Sequence, residues 1–388
     1  MRSGTRPFWT LVGIRAAFLL GTAATLLWAP RTGELVPNGA WDPFSDLVFG
    51  TFDQWDARWF LHIARDGYNT TSAAFFPLYP ALLALLGSSL VLGTLLSLVA
   101  AGLGALCVAE IVRPTLGEDV ARDSVLVLAL FPTAFVFTSL YSDGLFLALS
   151  AASFLAAQRR RPWLAGVAGG LAVATRAFGI ALLPALVYLL WPRRPREVWR
   201  LAPLLLLPAA IGLYAAYLDH TLGDPWAFSR AQASPGWERT VPSLGPLSGL
   251  WMTVQAGGHG GLEILRHLPR TQTVGAAGYS ATERIAFWNA FHLVLLVAVA
   301  LLTWVAWRRL GRAFGLYGAA ILLLVLTGPS KGFPLVSLPR FLLADFPVLG
   351  AIAVLIQGRP RLRTAVLVAL GATSAAAGVA FARGVWIA

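Results

Sequence analysis

Charge is what this chain lacks. Only 12% of its 388 residues are Asp, Glu, Lys or Arg, while 57% are hydrophobic and the mean hydropathy is +0.69. A water-soluble domain carries about a quarter charged residues, so this composition excludes one and points to a polytopic membrane protein. Cysteine is nearly absent: Cys107 stands alone inside an apolar run. That excludes an intrachain disulfide and any Cys/His metal spacing. Lysine is almost missing too, with Lys331 the only one among 30 basic residues. The chain also has no P-loop, no dinucleotide-binding glycine fingerprint, no Gly-x-Ser-x-Gly elbow, no internal repeat and no low-complexity tract.

What is present is arginine, and its distribution matters more than its sum. The formal net charge of +12 suggests a nucleic-acid binder. The arginines instead gather in short clusters between apolar runs: Arg159–Arg161, Arg193–Arg194, Arg308–Arg309 and Arg359–Arg363. Clusters of that kind mark cytoplasmic loops, so no nucleic-acid partner is expected and the basic loops orient the spans. Taking about 20 apolar residues per crossing, the expectation is an all-α polytopic protein with about 10–12 membrane helices in one integral domain. Phe8–Pro30 reads as an uncleaved anchor, with Arg15 snorkelling to the cytoplasmic headgroups. Residues 31–72 form a first outer loop with short interfacial helices. Residues 75–112 hold a short dipping helix and one return crossing, and residues 219–285 form a long outer loop with a surface helix near Leu262–Leu268.

The stretch from Phe52 to Pro80, FDQWDARWFLHIARDGYNTTSAAFFPLYP, carries the densest polar chemistry. At 100° per residue Phe52, Trp55, Trp59 and Ile63 share one helix face, and Gln54, Arg58, His62 and Arg65 the other. This is the pattern of a helix lying on a membrane surface. Asp56 falls among the aromatics, where an ionised carboxylate is costly unless paired or used. The alternative is that Asp53 caps the helix and Asp56 only complements its dipole.

Further charges lie in otherwise apolar surroundings. Arg176, in GLAVATRAFGIALLP, is a functional candidate or a structural ion pair with Asp143. Arg340, in SLPRFLLADFP, starts a span; it either snorkels or pairs with Asp345 about one turn on. Two arginines on the side of the acids suit a lipid-linked phosphate, because guanidinium grips phosphate oxygens bidentately. Asp143 opens a helix after Ser142, which the helix dipole alone accounts for. Gly166, Gly169 and Gly170 read as close helix packing, and Asn69-Thr70-Thr71 matches a glycosylation acceptor pattern.

Trp55-Asp56-Ala57-Arg58-Trp59-Phe60-Leu61-His62-Ile63-Ala64, then Gly67-Tyr68 and Phe75-Phe76-Pro77-Leu78-Tyr79-Pro80, resembles the first-loop signature of PIG-V-type mannosyltransferases. Phe131-Pro132-Thr133-Ala134-Phe135, Tyr141-Ser142-Asp143, Ala174-Thr175-Arg176 and Pro339-Arg340-Phe341 follow in the family's order. Trp59 stands where eukaryotic members have His, and Asp143 where Glu is usual. The resemblance implies a GT-C-type glycosyltransferase fold and transfer of a sugar from a polyprenyl-phosphate donor to a lipid, glycan or protein acceptor. The site would face the extracytoplasmic side of the cell membrane. Asp56 would be the general base. Arg176 or Arg340 would stabilise the leaving phosphate; Trp55, Trp59 and Tyr68 would stack on sugar or hold lipid; Tyr141 and Asp143 would complete the substrate site. No organic cofactor is implied; a divalent metal near Asp56 and Asp143 is the one candidate ion. A flippase for polyprenyl-linked sugars is the rival class, although the charges collect at one surface and no paired halves are visible.

Overall fold

In a computed structural model, residues 3–28, 48–50, 54–235, 237–267, 281–385 and 387 are described. Among them the chain is helical throughout, and its only extended pairing is an isolated antiparallel bridge between Arg239 and Ser330. The elements are α1 (Arg6–Leu26), α2 (Asp56–Asp66), α3 (Leu78–Leu85), α4 (Leu90–Leu130), α5 (Asp143–Gln158), α6 (Pro162–Thr175) and α7 (Leu182–Leu190). They continue with α8 (Leu206–Leu222), α9 (Pro246–His267), α10 (Ala281–Arg309), α11 (Arg312–Thr327), α12 (Phe346–Ile356) and α13 (Pro360–Ala382). Among the described residues five helices are long and apolar enough to cross a membrane, and five shorter apolar helices accompany them. This is the all-α polytopic architecture expected.

Local chemistry sets the breaks. Ser89 caps α4, its Oγ accepting from the Leu92 N–H at 3.3 Å. Gly117, at φ 85°, folds α4 back on itself, a conformation glycine adopts without a Cβ clash. The helix ends at Leu130, ahead of Pro132. Pro162 and Pro360 each occupy the first position of a helix, where no N–H is needed.

The Gly117 fold-back fixes the topology that hydropathy left open. Arg159 reaches Glu110 at 2.8 Å, Arg113 also pairs with Glu110, and Arg160 donates to the Trp191 carbonyl at 3.3 Å. Arg363 grips Asp123 with two bonds of 2.8 Å. Residues 110–123 therefore lie at the arginine-rich end, and residues 75–112 supply the short helix α3 and one crossing. Helices α5, α6 and α12 each run between that end and the opposite one, where Asp143, Arg176 and Arg340 sit. A helix the length of α5 spans about 24 Å at 1.5 Å per residue.

Two local expectations change. Arg15 does not snorkel: it is 1% exposed, and its guanidinium donates to the Ala129 carbonyl at 3.3 Å and to Ser374 Oγ at 2.9 Å, because its face of α1 packs on α4 and α13. The polar stretch expected as loop contains α9, and the glycine run Gly257–Gly261 lies within it. A Cβ at Gly260 would stand 2.2 Å from the Ala286 carbonyl, so that glycine permits close packing of α9 on α10. The same packing role holds for Gly166, Gly169 and Gly170, which face Pro203, Leu207 and Leu206.

Candidate active site

Helix α2 is amphipathic, but the face it buries is shifted from the expected Trp55, Trp59 and Ile63 stripe and meets protein rather than a membrane surface. Ala57, Phe60, Leu61 and Ile63 are buried, and Phe60 packs edge-on against Phe75 and Tyr79 at 5.0 and 4.9 Å. Asp56 is the first residue of this helix, two positions earlier than a cap at Asp53 would place it. Asp53, the residue proposed to cap it, lies outside the described residues. Trp55, just before, has φ 50° and ψ −112°, a strained conformation for a bulky residue. It is held from both sides: Trp55 packs against Phe381 at 4.7 Å, and Gln54 Nε2 donates to the Phe381 carbonyl at 2.9 Å. The strain aims the Asp56 carboxylate inward, where it is only 14% exposed.

Four segments distant in sequence converge there. Arg340, on the single helical turn Leu338–Phe341, pairs with Asp56 Oδ2 at 2.7 Å and approaches Asp143 at 3.6 Å. Arg176, at the extended break that ends α6, pairs with Asp143. Thr133 Oγ1 donates to the Pro339 carbonyl at 2.9 Å and fixes the turn that carries Arg340. Tyr141 lies beneath the Arg340 guanidinium, 5.4 Å from its ring centroid, and donates its hydroxyl to the Gln54 carbonyl at 3.2 Å. Burial would by itself lower the Arg340 pKa; the facing carboxylates of Asp56 and Asp143 outweigh burial and hold it above the ordinary value.

The structure thus brings Asp56, Tyr141, Asp143, Arg176 and Arg340 into one network, with Trp55 beside it. Arg340 does not snorkel and does not pair with Asp345. That side chain is fully buried and turns back to cap α12, accepting from the Val348 N–H at 3.3 Å. Trp59 lies one turn along α2, stacked near Phe75 and against Trp237 at 6.0 Å. Tyr68 is apart from the network: it packs on Tyr214 and Tyr217 and donates to the Phe75 carbonyl at 3.0 Å. These tyrosines line an apolar groove of about 710 Å³ between α2, α3, α6 and α8, whose wall includes Ala174, two residues before Arg176. Asn69 turns its side chain into its own loop, accepting from Thr71 and Ser72, and His62 pairs with exposed Asp66. Among the described residues no three His, Cys, Asp or Glu side chains converge, and Asp56 and Asp143 are joined through Arg340.

Two residues of this region carry no signal in the sequence. Trp237 covers Trp59 and Phe75, the latter at 5.5 Å. Arg239 stands 5.6 Å from the Phe341 ring, whose centroid also lies 5.5 Å from Arg176. Both residues belong to the polar segment after α8, where periodicity is silent.

Residues 75–218 match the family described as dolichyl-phosphate-mannose-protein mannosyltransferase, a segment that holds Tyr141, Asp143 and Arg176 but not Asp56 or Arg340. No curated protein matches the chain. Among solved structures it is similar to the Archaeoglobus fulgidus oligosaccharyltransferase in its apo form, at 14% identity and a TM-score of 0.44. That likeness covers 97% of this chain and 55% of the other, so the chain spans about half the length of that relative. The family match supports a GT-C glycosyltransferase.

Proposed function

We propose that the protein is a PIG-V-like GT-C enzyme that moves a hexose, mannose, from a polyprenyl-phosphate donor to a hydroxyl-bearing lipid, glycan or protein acceptor. The observation that carries this reading is the Asp56–Arg340–Asp143–Arg176 network at the end of the bundle opposite the arginine clusters. By the positive-inside rule that end is extracytoplasmic. A carboxylate at a helix start, held against guanidinium groups, supplies what an inverting transfer needs. Asp56 accepts the proton of the acceptor hydroxyl as its oxygen forms the bond to the anomeric carbon. The bond from that carbon to the phosphate oxygen breaks, and Arg340 and Arg176 offset the charge that grows on the lipid phosphate. Trp55 and Trp59 offer flat apolar surface to a sugar ring. The apolar groove beside Tyr68 suits the polyprenyl tail, because its wall joins the helices that bear Asp56 and Arg176.

The test is transfer from radiolabelled mannosyl-phosphoryl-polyprenol in detergent, followed by product identification. Wild-type protein yields a glycosylated acceptor, and Asp56→Asn yields inserted, folded protein with turnover reduced roughly 100-fold or more, the usual range for loss of an acid–base group. Asp56→Asn activity within a few-fold of wild type refutes the role of Asp56. Absence of any product in detergent, with lipid translocation retained in vesicles, favours a flippase.

A further inference from the structure

In this cluster, among the described residues, Arg239 is the guanidinium with no carboxylate at ion-pair distance. In the cluster Arg340 is shared between Asp56 and Asp143, and Arg176 is paired with Asp143. Among the described residues no acidic side chain lies within ion-pair distance of Arg239, whose polar contact is a 3.4 Å bond to Ser337 Oγ. Three arginines therefore face two carboxylates, which leaves one positive charge unmatched. Burial first, and then repulsion from Arg340 and Arg176, press the Arg239 guanidinium below its ordinary pKa; the more distant Asp56 carboxylate offsets only part of this, and a bound anion relieves the rest.

The position is built rather than incidental. The Thr240 N–H donates to the Pro329 carbonyl at 3.0 Å and the Lys331 N–H to the Glu238 carbonyl at 3.1 Å; Ser330 Oγ donates to the Trp237 carbonyl at 2.6 Å. Trp237 then seats the segment on Trp59 and Phe75 of the first-loop motif. A backbone clamp and an aromatic anchor thus hold an uncompensated guanidinium beside Arg176 and Arg340.

We propose that Arg239 is the direct ligand of the phosphate of the lipid-linked donor, while Arg176 and Arg340, each paired with a carboxylate, act on its growing charge from beside it. The assignment rests on the glycosyltransferase reading for the identity of the donor. The chemistry agrees: a sugar phosphodiester carries one negative charge, equal to the unmatched positive one. The lipid phosphate that leaves carries more, so the contact strengthens as the sugar departs.

The experiment is binding to the purified full chain in detergent, read by tryptophan fluorescence. The probes are farnesyl phosphate, farnesol and inorganic phosphate. Arg239→Met weakens farnesyl phosphate roughly 10–100-fold, as expected for loss of one charge-assisted contact, and leaves farnesol within about 2-fold on the same reasoning. Arg239→Lys, which keeps the charge, recovers most of the affinity while matching wild type in apparent Tm. Farnesyl phosphate affinity unchanged in Arg239→Met overturns the proposal, as does an equal loss for farnesol, which marks a structural role. Inorganic phosphate binding as tightly as farnesyl phosphate overturns the lipid assignment. These readouts need no sugar transfer, so failure of the enzyme reading and failure of the Arg239 assignment are separate results.

Discussion

Replacing Arg340 by Met removes the hub of the network and leaves its acids in place. The 2.7 Å contact with Asp56 is worth, in gross Coulomb terms, about 6 kcal/mol at an effective dielectric near 20. Desolvation of the two groups offsets much of this. Breaking one side of a buried pair nevertheless costs about 3–5 kcal/mol, because the remaining charge is stranded. Asp143 keeps Arg176, whereas Asp56 keeps no arginine at ion-pair distance among the described residues, only the more distant Arg176 and Arg239, and is 14% exposed, so the lower end of that range applies. Asp56→Asn alone is milder, since Arg340 still faces Asp143 at 3.6 Å. The double variant Asp56→Asn/Arg340→Met is then more stable than Arg340→Met by about 1–3 kcal/mol, because the stranded charge has gone. Apparent Tm in detergent, followed by tryptophan fluorescence, should rank wild type above Asp56→Asn, then the double variant, then Arg340→Met. Transfer stays lost in the double variant, which separates stability from catalysis. Simple additivity, with the double variant below Arg340→Met, refutes the coupling, as does an Arg340→Met protein as stable as wild type.

Two other perturbations test the packing. Gly258→Ala meets nothing within 4 Å and should be neutral or stabilising by up to about 1 kcal/mol, the helix-propensity gain over glycine. Gly260→Ala, two residues on, drives a methyl against the Ala286 carbonyl and should destabilise by about 1–3 kcal/mol; equal apparent Tm values for the two would exclude tight α9–α10 contact. Arg15→Met should raise the apparent Tm, since a buried guanidinium held by two neutral oxygens, its Nε unpartnered, gives way to an apolar chain of similar reach. A clear fall in Tm would show that those two bonds outweigh desolvation.

The resemblance at the first loop and the apolar runs were enough to single out Asp56, Asp143 and Arg176 as candidates, and the structure brings them to one end of the bundle. Those features are local. Hydropathy reports a span, and an isolated charge in an apolar run reports its own cost. The sequence suggested that Arg340 pairs with Asp345, its neighbour one turn away, and there local reasoning fails. The turn at Leu338–Phe341 directs Arg340 toward Asp56, and Asp345 closes its own helix.

Composition and periodicity by themselves determined that this chain is a bundle of membrane helices with a basic end and a sparsely charged end. Only the tertiary structure decided which carboxylate each arginine of the site meets, and that Arg239 pairs with none among the described residues. The physical reason is range. Helix formation and burial follow from residues a few positions apart. An ion pair between a first-loop helix and a turn near the C-terminus depends on how the intervening helices pack, which no window of sequence contains.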